Sequence, residues 1–338
     1  MNQIRLITLL VVITGILFLS CNKTKDGQFK VAMLAEGNTF DDLSFLQSCK
    51  EGMERAKTDF NLSVEYNIDT TTNMYQQRIN NFASQDYELI IAIGYMWNDA
   101  ILEAANSFPD TKFILVDNEL SETRNNVVSI VFDVDEAAFP IGFLSAWWAE
   151  SQGSDSPKTA CIGALKIPQI RQFIEPFNNG VNYYNSIYTR SVDTSIVYAG
   201  NFFDSELGVH LSDSLINEGA DIIFGVGSET ASGALLKAKQ RNIWGVGTDV
   251  DQFYSFPEVA DFMLTTAEKG LDNSIYEVVK SFTEKKFNGG STYHGNLENL
   301  GVAIAPYHNA DAVIADSIKT KVESIKTEIT MGNISTGW

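Results

Sequence analysis

The sequence predicts two α/β lobes in series, each built on a parallel sheet covered by helices on both faces. Three observations predict it. Short apolar runs that read as buried strands alternate with stretches of helical period, the pattern that gives parallel strands joined by helical crossovers. The alternation starts again near residue 134 and repeats units of similar size. The chain, at 338 residues, is longer than one hydrophobic core usually holds, so about two domains are expected.

In the first lobe the strands read as FKVAMLAE (29–36), SVEYNI (63–68), YELIIAIG (87–94), KFILVD (112–117) and NVVSIVFD (126–133). Between them, Leu43, Leu46, Cys49, Met53 and Ala56 fall on one face of a helix over 43–57, and 73–85 and 96–108 repeat that period. The second lobe opens with a helix over 138–151. Strand 159–166, helix 170–184, strand 194–200, helix 206–219, strand 220–227, helix 230–241 and strand 243–249 follow. Strand 261–267, a helix over 268–286, strand 300–306 and a C-terminal helix complete the chain. In that last helix Ile314, Ile318, Val322, Ile325 and Ile329 form one stripe, which reads as a face docked on its own lobe. SQGSDSP (151–157) reads as a surface loop and the tail MGNISTGW as frayed.

Ahead of the lobes stands MNQIRLITLLVVITGILFLSC. Arg5 precedes an apolar run from Leu6 to Leu19, then come Ser20 and Cys21. The run is short for a spanning helix, which needs ~20 apolar residues. Its layout is that of an export signal, over residues 1–20, with a polar tether at 21–28. A cysteine directly after the cut resembles the bacterial lipoprotein signal, which implies lipidation of Cys21 and a position in the cell envelope outside the cytoplasm.

Composition excludes several classes. Apolar residues make up 44% of the chain and aromatics 11%, a globular balance. The net charge of −19 argues against nucleic acid and against an anionic lipid surface, and favours a neutral or cationic ligand. Cys49 and Cys161 lie in apolar patterns and read as buried thiols, with a bridge between them left open. No Cys/His cluster has metal spacing, so neither a metal nor a cofactor is expected. A hydrolase is disfavoured: there is no G-x-S-x-G elbow and no P-loop, and His210, His294 and His308 lack an evident Ser/Asp partner.

Open α/β sheets bind ligands beyond the carboxyl ends of their strands. The residues there are Glu36, Asp41, Asp42 and Phe45 in EGNTFDDLSF, Asp117 after KFILV, Phe173 in KIPQIRQF, Phe202, Phe203 and Asp204 in NFFD, Asp249 in TDVDQ, and Lys269 after MLTTA. Aromatic faces can hold a flat ring, and carboxylates accept hydrogen bonds from ring N–H groups or adjacent hydroxyls. A lysine beside an aspartate keeps that carboxylate ionised and donates to hydroxyl oxygens. Asp41 and Asp42 read first as caps of the helix near Leu43, and Asp204 as the cap of the helix over 206–219. By residue type alone Phe173 and Phe202 also read as core aromatics.

The ordered set DDLSFLQSCKEG, GALKIPQIRQFIEPFNNGV, AGNFFD, INEGADIIFGVG, GTDVDQ and ENLGVAIAP resembles the basic membrane protein (BMP) family, lipoproteins that serve as substrate-binding components of ABC transporters for purine nucleosides. The resemblance covers nearly all of the chain after the signal. It implies the type I periplasmic-binding-protein fold, two Rossmann-like lobes joined by a three-segment hinge. Mapped onto this chain, the N-terminal lobe is 29–133 plus 266–299 and the C-terminal lobe 134–265 plus 300–338. It further implies that Phe173 and Phe202 sandwich a purine, that Asp249 and Lys269 hold the ribose hydroxyls, and that Asp117 and Phe45 line the pocket. Two positions depart: Leu46 stands where the family has Asn, and Glu36 where it has Asp. Both are associated with the base edge, so a differently edged purine nucleoside, or another flat heterocycle such as riboflavin, is within the expectation. The implied partners are an ABC permease and a small-molecule ligand, for a monomer held to the membrane only by its lipid. A ligand-sensing lipoprotein without transport is the remaining alternative.

Overall fold

The structure, a computed structural model, describes residues 27–71 and 73–338. The signal peptide, Cys21 and the start of the tether lie outside the described residues. From there the chain follows the alternation of its apolar runs: β1 (Lys30–Glu36), α1 (Phe45–Phe60), β2 (Ser63–Asp69), α2 (Tyr75–Ala83), β3 (Leu89–Ile93), α3 (Asn98–Ser107), β4 (Lys112–Val116) and β5 (Val127–Phe132). It then crosses to the second lobe with α4 (Asp135–Ser151), β6 (Lys158–Gly163), α5 (Pro168–Tyr188), β7 (Asp193–Tyr198), α6 (Ser205–Asn217), β8 (Ile222–Val226), α7 (Ser228–Gln240), β9 (Trp244–Asp249), the short α8 (Gln252–Ser255) and β10 (Met263–Lys269). Next come α9 (Leu271–Thr283), β11 (Thr292–Gly295), β12 (Val302–Ile304) and α10 (Asp316–Thr330).

Two six-stranded sheets result, ordered β11-β5-β4-β3-β1-β2 and β12-β10-β9-β8-β6-β7. The pairings are parallel, except that β12 runs antiparallel to β10. All five residues of β3 and all five of β8 are buried, because helices cover both faces of each sheet. The chain passes between lobes three times, after β5, after β10 and after β11, which is the hinge arrangement of the type I periplasmic-binding-protein fold. Helix α9 returns to the first lobe and packs on α1, while α10 packs on α4 of the second. Cys49 on α1 and Cys161 on β6 are separate buried thiols.

The structure corrects five expectations. The lobe boundary at 265/266 and the helix start at 268 both fall inside β10. That strand stays in the second sheet through Lys269, because Glu268 pairs with Asp249 and Lys269 with Val302. The returning first-lobe segment therefore begins with α9, at Leu271. Strand β11, sequence TYHG, gave no apolar run because it is a half-exposed edge strand held by β5. Ile314 is buried but precedes α10, whose buried stripe is Ile318, Val322, Ile325 and Ile329. The tail is docked: Thr336 is buried, its hydroxyl donates to Asp135 at 2.6 Å, and its carbonyl accepts from Asn179 at 2.8 Å. Among the described residues no helix is long and apolar enough to cross a membrane.

Candidate functional site

The carboxyl ends of the two sheets face each other across a cavity of about 690 Å³, part of it open to solvent. Of the residues singled out at strand ends, all but Asp41 and Asp204 line it, and so does Leu46. Glu36, Phe45, Leu46 and Asp117 come from the first lobe. Phe173, Phe202, Asp249 and Lys269 come from the second. The lobes are closed on one another. Ser44 donates to the Asp249 carboxylate at 2.8 Å, Ser228 to Asp42 at 3.3 Å, and Asn38 to Glu229 at 3.0 Å, each bond running between lobes.

Lys269 is the electrostatic centre. The residue is 6% exposed, and its ammonium lies 2.8 Å from the Asp117 carboxylate and 4.0 Å from that of Asp249. Burial pulls its pKa down, but the two carboxylates outweigh burial and leave it above the usual lysine value. Aromatic faces surround it as well, with ring centres of Phe173, Phe45 and Phe132 at 5.1, 5.3 and 5.9 Å. Asp117 and Asp249 sit at the ends of β4 and β9 on left-handed backbone, with φ of 64° and 73°. Aspartate tolerates that region better than most residues, and strain held at a cavity wall is a common mark of a binding site.

The aromatic walls follow from packing. Phe173, two turns into α5, is 2% exposed and meets the Phe224 ring edge-on at 6.4 Å. It is a core residue and a wall residue at once, because the cavity opens directly off the core. Phe202 stands against Gly227, where the chain turns from β8 into α7 at φ 115°. A side chain there would put its Cβ 2.5 Å from that of Ala164 and 3.2 Å from the Phe202 ring. Only glycine fits.

The acids divide by role. Asp204 caps α6 by accepting from Leu207 at 2.9 Å. Asp42 caps α1, accepting from the backbone N–H groups of Ser44, Gln47 and Leu46 at 3.1, 3.1 and 3.2 Å. It also lines the cavity, and burial pushes its pKa up to about 6 against those donors. Asp41 is exposed and paired with Lys50. Glu36 accepts a hydrogen bond from the hydroxyl of Tyr75, whose phenol burial and Glu36 together push up, keeping it a donor. Leu46 is buried and offers no polar group.

Sequence reasoning missed Tyr95, Gln169 and Ser228, which also line the cavity. Tyr95 and Ser228 closely follow β3 and β8. Inspecting those two strand ends like the others would have found them. Gln169 lies in KIPQIRQF, four residues before Phe173. Against Glu36, Asp42, Asp117 and Asp249 stands a single cavity-lining ammonium, Lys269. A cavity so rich in acceptors suits a neutral, donor-bearing ligand with a flat apolar body, and repels an anion such as a phosphate. Among the described residues no cluster of His, Cys, Asp and Glu could hold a metal ion.

The profile of the Bmp family, described as PnrA-like ABC transporter substrate-binding proteins, matches residues 29–335. An uncharacterised lipoprotein of Pyrococcus abyssi is 27% identical over 82% of this chain and 69% of its own length. The ABC transporter nucleoside-binding protein BmpA of Lactococcus lactis is 26% identical over 89% of this chain and 88% of its own. A crystal structure of an ABC transporter solute-binding protein from Aeropyrum pernix superposes with a TM-score of 0.85 at 22% identity, covering 91% of this chain and 92% of the other. That structure bears on the fold alone.

Proposed function

Since this chain belongs to the Bmp family of PnrA-like ABC transporter substrate-binding proteins, we propose that it captures a purine nucleoside in the interlobe cavity and delivers it to an ABC permease. The carrying observation is the convergence, in one cavity, of Phe173 and Phe202 with the Asp117–Lys269–Asp249 cluster. In this reading the base stacks on the two rings, worth on the order of 1–3 kcal/mol per aromatic by analogy with base-stacking platforms. Asp249 accepts from adjacent ribose hydroxyls while Lys269 donates to their oxygens. Asp117 keeps the ammonium in place, Phe45 closes the wall, and Glu36 faces the base edge. Ligand drives closure by binding the closed lobes more tightly than the open ones.

The nucleoside-binding relative supports the ligand class. Leu46, apolar where the base edge would lie, favours testing riboflavin as a second ligand. Isothermal titration of the delipidated protein with inosine, guanosine, adenosine and riboflavin checks both readings. A saturable response to at least one nucleoside is expected, and no response to any of the three removes the nucleoside reading. The lipoprotein relative supports a lipid on Cys21 and a site of work in the cell envelope. Incorporation of labelled palmitate by the native chain and its loss in Cys21→Ala is the expected outcome.

A further inference from the structure

Consecutive residues of the first lobe, Asp42, Leu43 and Ser44, each bond to a different element of the second. They stand just ahead of α1. The Asp42 carboxylate accepts from Ser228, at the start of α7, at 3.3 Å. The Leu43 carbonyl accepts from the hydroxyl of Ser255, at the end of α8, at 2.8 Å. Ser44 donates to Asp249, at the end of β9, at 2.8 Å. The side chain between these bonds is apolar. Leu43 packs on a cluster built from second-lobe residues, Leu235, Leu236, Phe256, Val259 and Met263, all buried except Leu236, which is half-buried. This socket is separate from the main core, and neither Leu43 nor any residue of the socket lines the ligand cavity.

Leu43 also holds left-handed backbone, with φ of 62°. Leucine has neither the freedom of glycine nor the short polar side chain that eases this region for Asn and Asp, so the conformation is costly. Such strain persists only where the surroundings over-determine it. Here they are the interlobe bonds and the socket, and both exist only while the lobes are closed. We propose that Leu43 is a positioning residue, the plug of a clasp that biases the lobes toward closure before a ligand arrives and raises affinity from outside the ligand cavity. Seating the plug also brings Ser44 onto Asp249. Because the plug does not face the cavity, it favours every ligand held by the closed lobes by the same factor. Its effect on affinity rests on the nucleoside reading; its effect on the ligand-free protein does not.

The test compares delipidated wild type, Leu43→Ala, Leu43→Met and Ser255→Ala. In small-angle X-ray scattering without ligand, Leu43→Ala is expected to be more expanded than wild type. Leu43→Met, which keeps an apolar plug, is expected to be as compact as wild type. Ser255→Ala, which removes the partner of the Leu43 carbonyl from the other lobe, is expected to expand by less than Leu43→Ala. In calorimetric titration with inosine, guanosine and adenosine, each nucleoside that binds wild type is expected to weaken in Leu43→Ala by one common factor, roughly 3- to 30-fold, the weight of part of a buried leucine. A merely structural role would lower the denaturation midpoint and leave both the radius and the affinities alone. Radii equal to wild type in the folded Leu43→Ala and Ser255→Ala variants overturn the clasp whatever the ligand is. Wild-type affinity in Leu43→Ala, or a loss that differs from one nucleoside to the next, overturns it and leaves the nucleoside reading standing. Failure of all three nucleosides to bind wild type overturns the nucleoside reading, and the scattering then decides the clasp.

Discussion

Two cavities meet at Asp249 and Lys269, and they could hardly be less alike. On one side lies the cavity between the lobes, walled by Phe45, Tyr95, Phe173, Phe202 and Phe203. On the other, behind the hinge strand β10, lies a space of about 680 Å³ with no aromatic side chain. Ser48, Glu51, Asp251, Glu268 and Asp272 line it together with the shared pair. Chemistry separates them. The front cavity joins flat apolar walls to two carboxylates that share one ammonium, the combination that holds a ring bearing hydroxyls. The rear one offers mainly carboxylates, partly answered by Arg55 on Asp272 and His308 on Asp251. Charge alone does not make a ligand site; a desolvating wall beside it does.

The contrast can be broken or sharpened, beginning with the shared lysine. Lys269→Met leaves Asp117 and Asp249 buried without their cation. Breaking a buried pair typically costs about 3–5 kcal/mol, so chemical denaturation should show a loss of that size and nucleoside binding should vanish. Unchanged stability would remove Lys269 as the neutralising centre. Asp249→Ala comes next. It deletes the acceptor proposed for two hydroxyls, each charge-assisted bond worth about 1.5–3 kcal/mol, so affinity should fall by on the order of 100-fold or more in calorimetry. Binding equal to wild type would sink the ribose assignment. Phe202→Ala should cost roughly 1–3 kcal/mol of affinity and little stability, because Phe202 is only half-buried. A loss of stability with affinity intact would return it to the core.

The smallest binding effect is expected behind the hinge. Burial, helped by Asp251 and Asp272, pushes Glu268 up to about 7 from 4.5. The folded state then holds its proton over a range where the unfolded chain has lost it. Stability from this group is full below about pH 4.5 and is lost as pH rises through 7. Glu268→Gln, which mimics the protonated form, should melt higher than wild type at pH 8, match it near pH 4, and bind nucleosides as wild type does. Weakened binding at both pH values would show that the two cavities act as one site.

Much of the site was legible because strand ends are legible. Glu36, Asp117 and Asp249 each follow an apolar run, and the α/β topology sends all such ends to one edge. Asp42 was read as a cap, which it is. That it also meets Ser228 across the lobes could not be seen, since the two are 186 residues apart. Strand β11 was missed for want of apolar residues, and the end of β10 was given to a helix because AEKGLDN has no strand periodicity.

By itself the sequence determined two parallel-stranded lobes and the set of side chains available at their facing edges, because hydrophobic period and strand order are local properties of the chain. Only the tertiary structure decided which of those acids meet Lys269 and which aromatics are at once wall and core. Those are outcomes of packing and closure between segments separated in the sequence, set by burial and by competition for hydrogen-bond partners, and no local pattern encodes them.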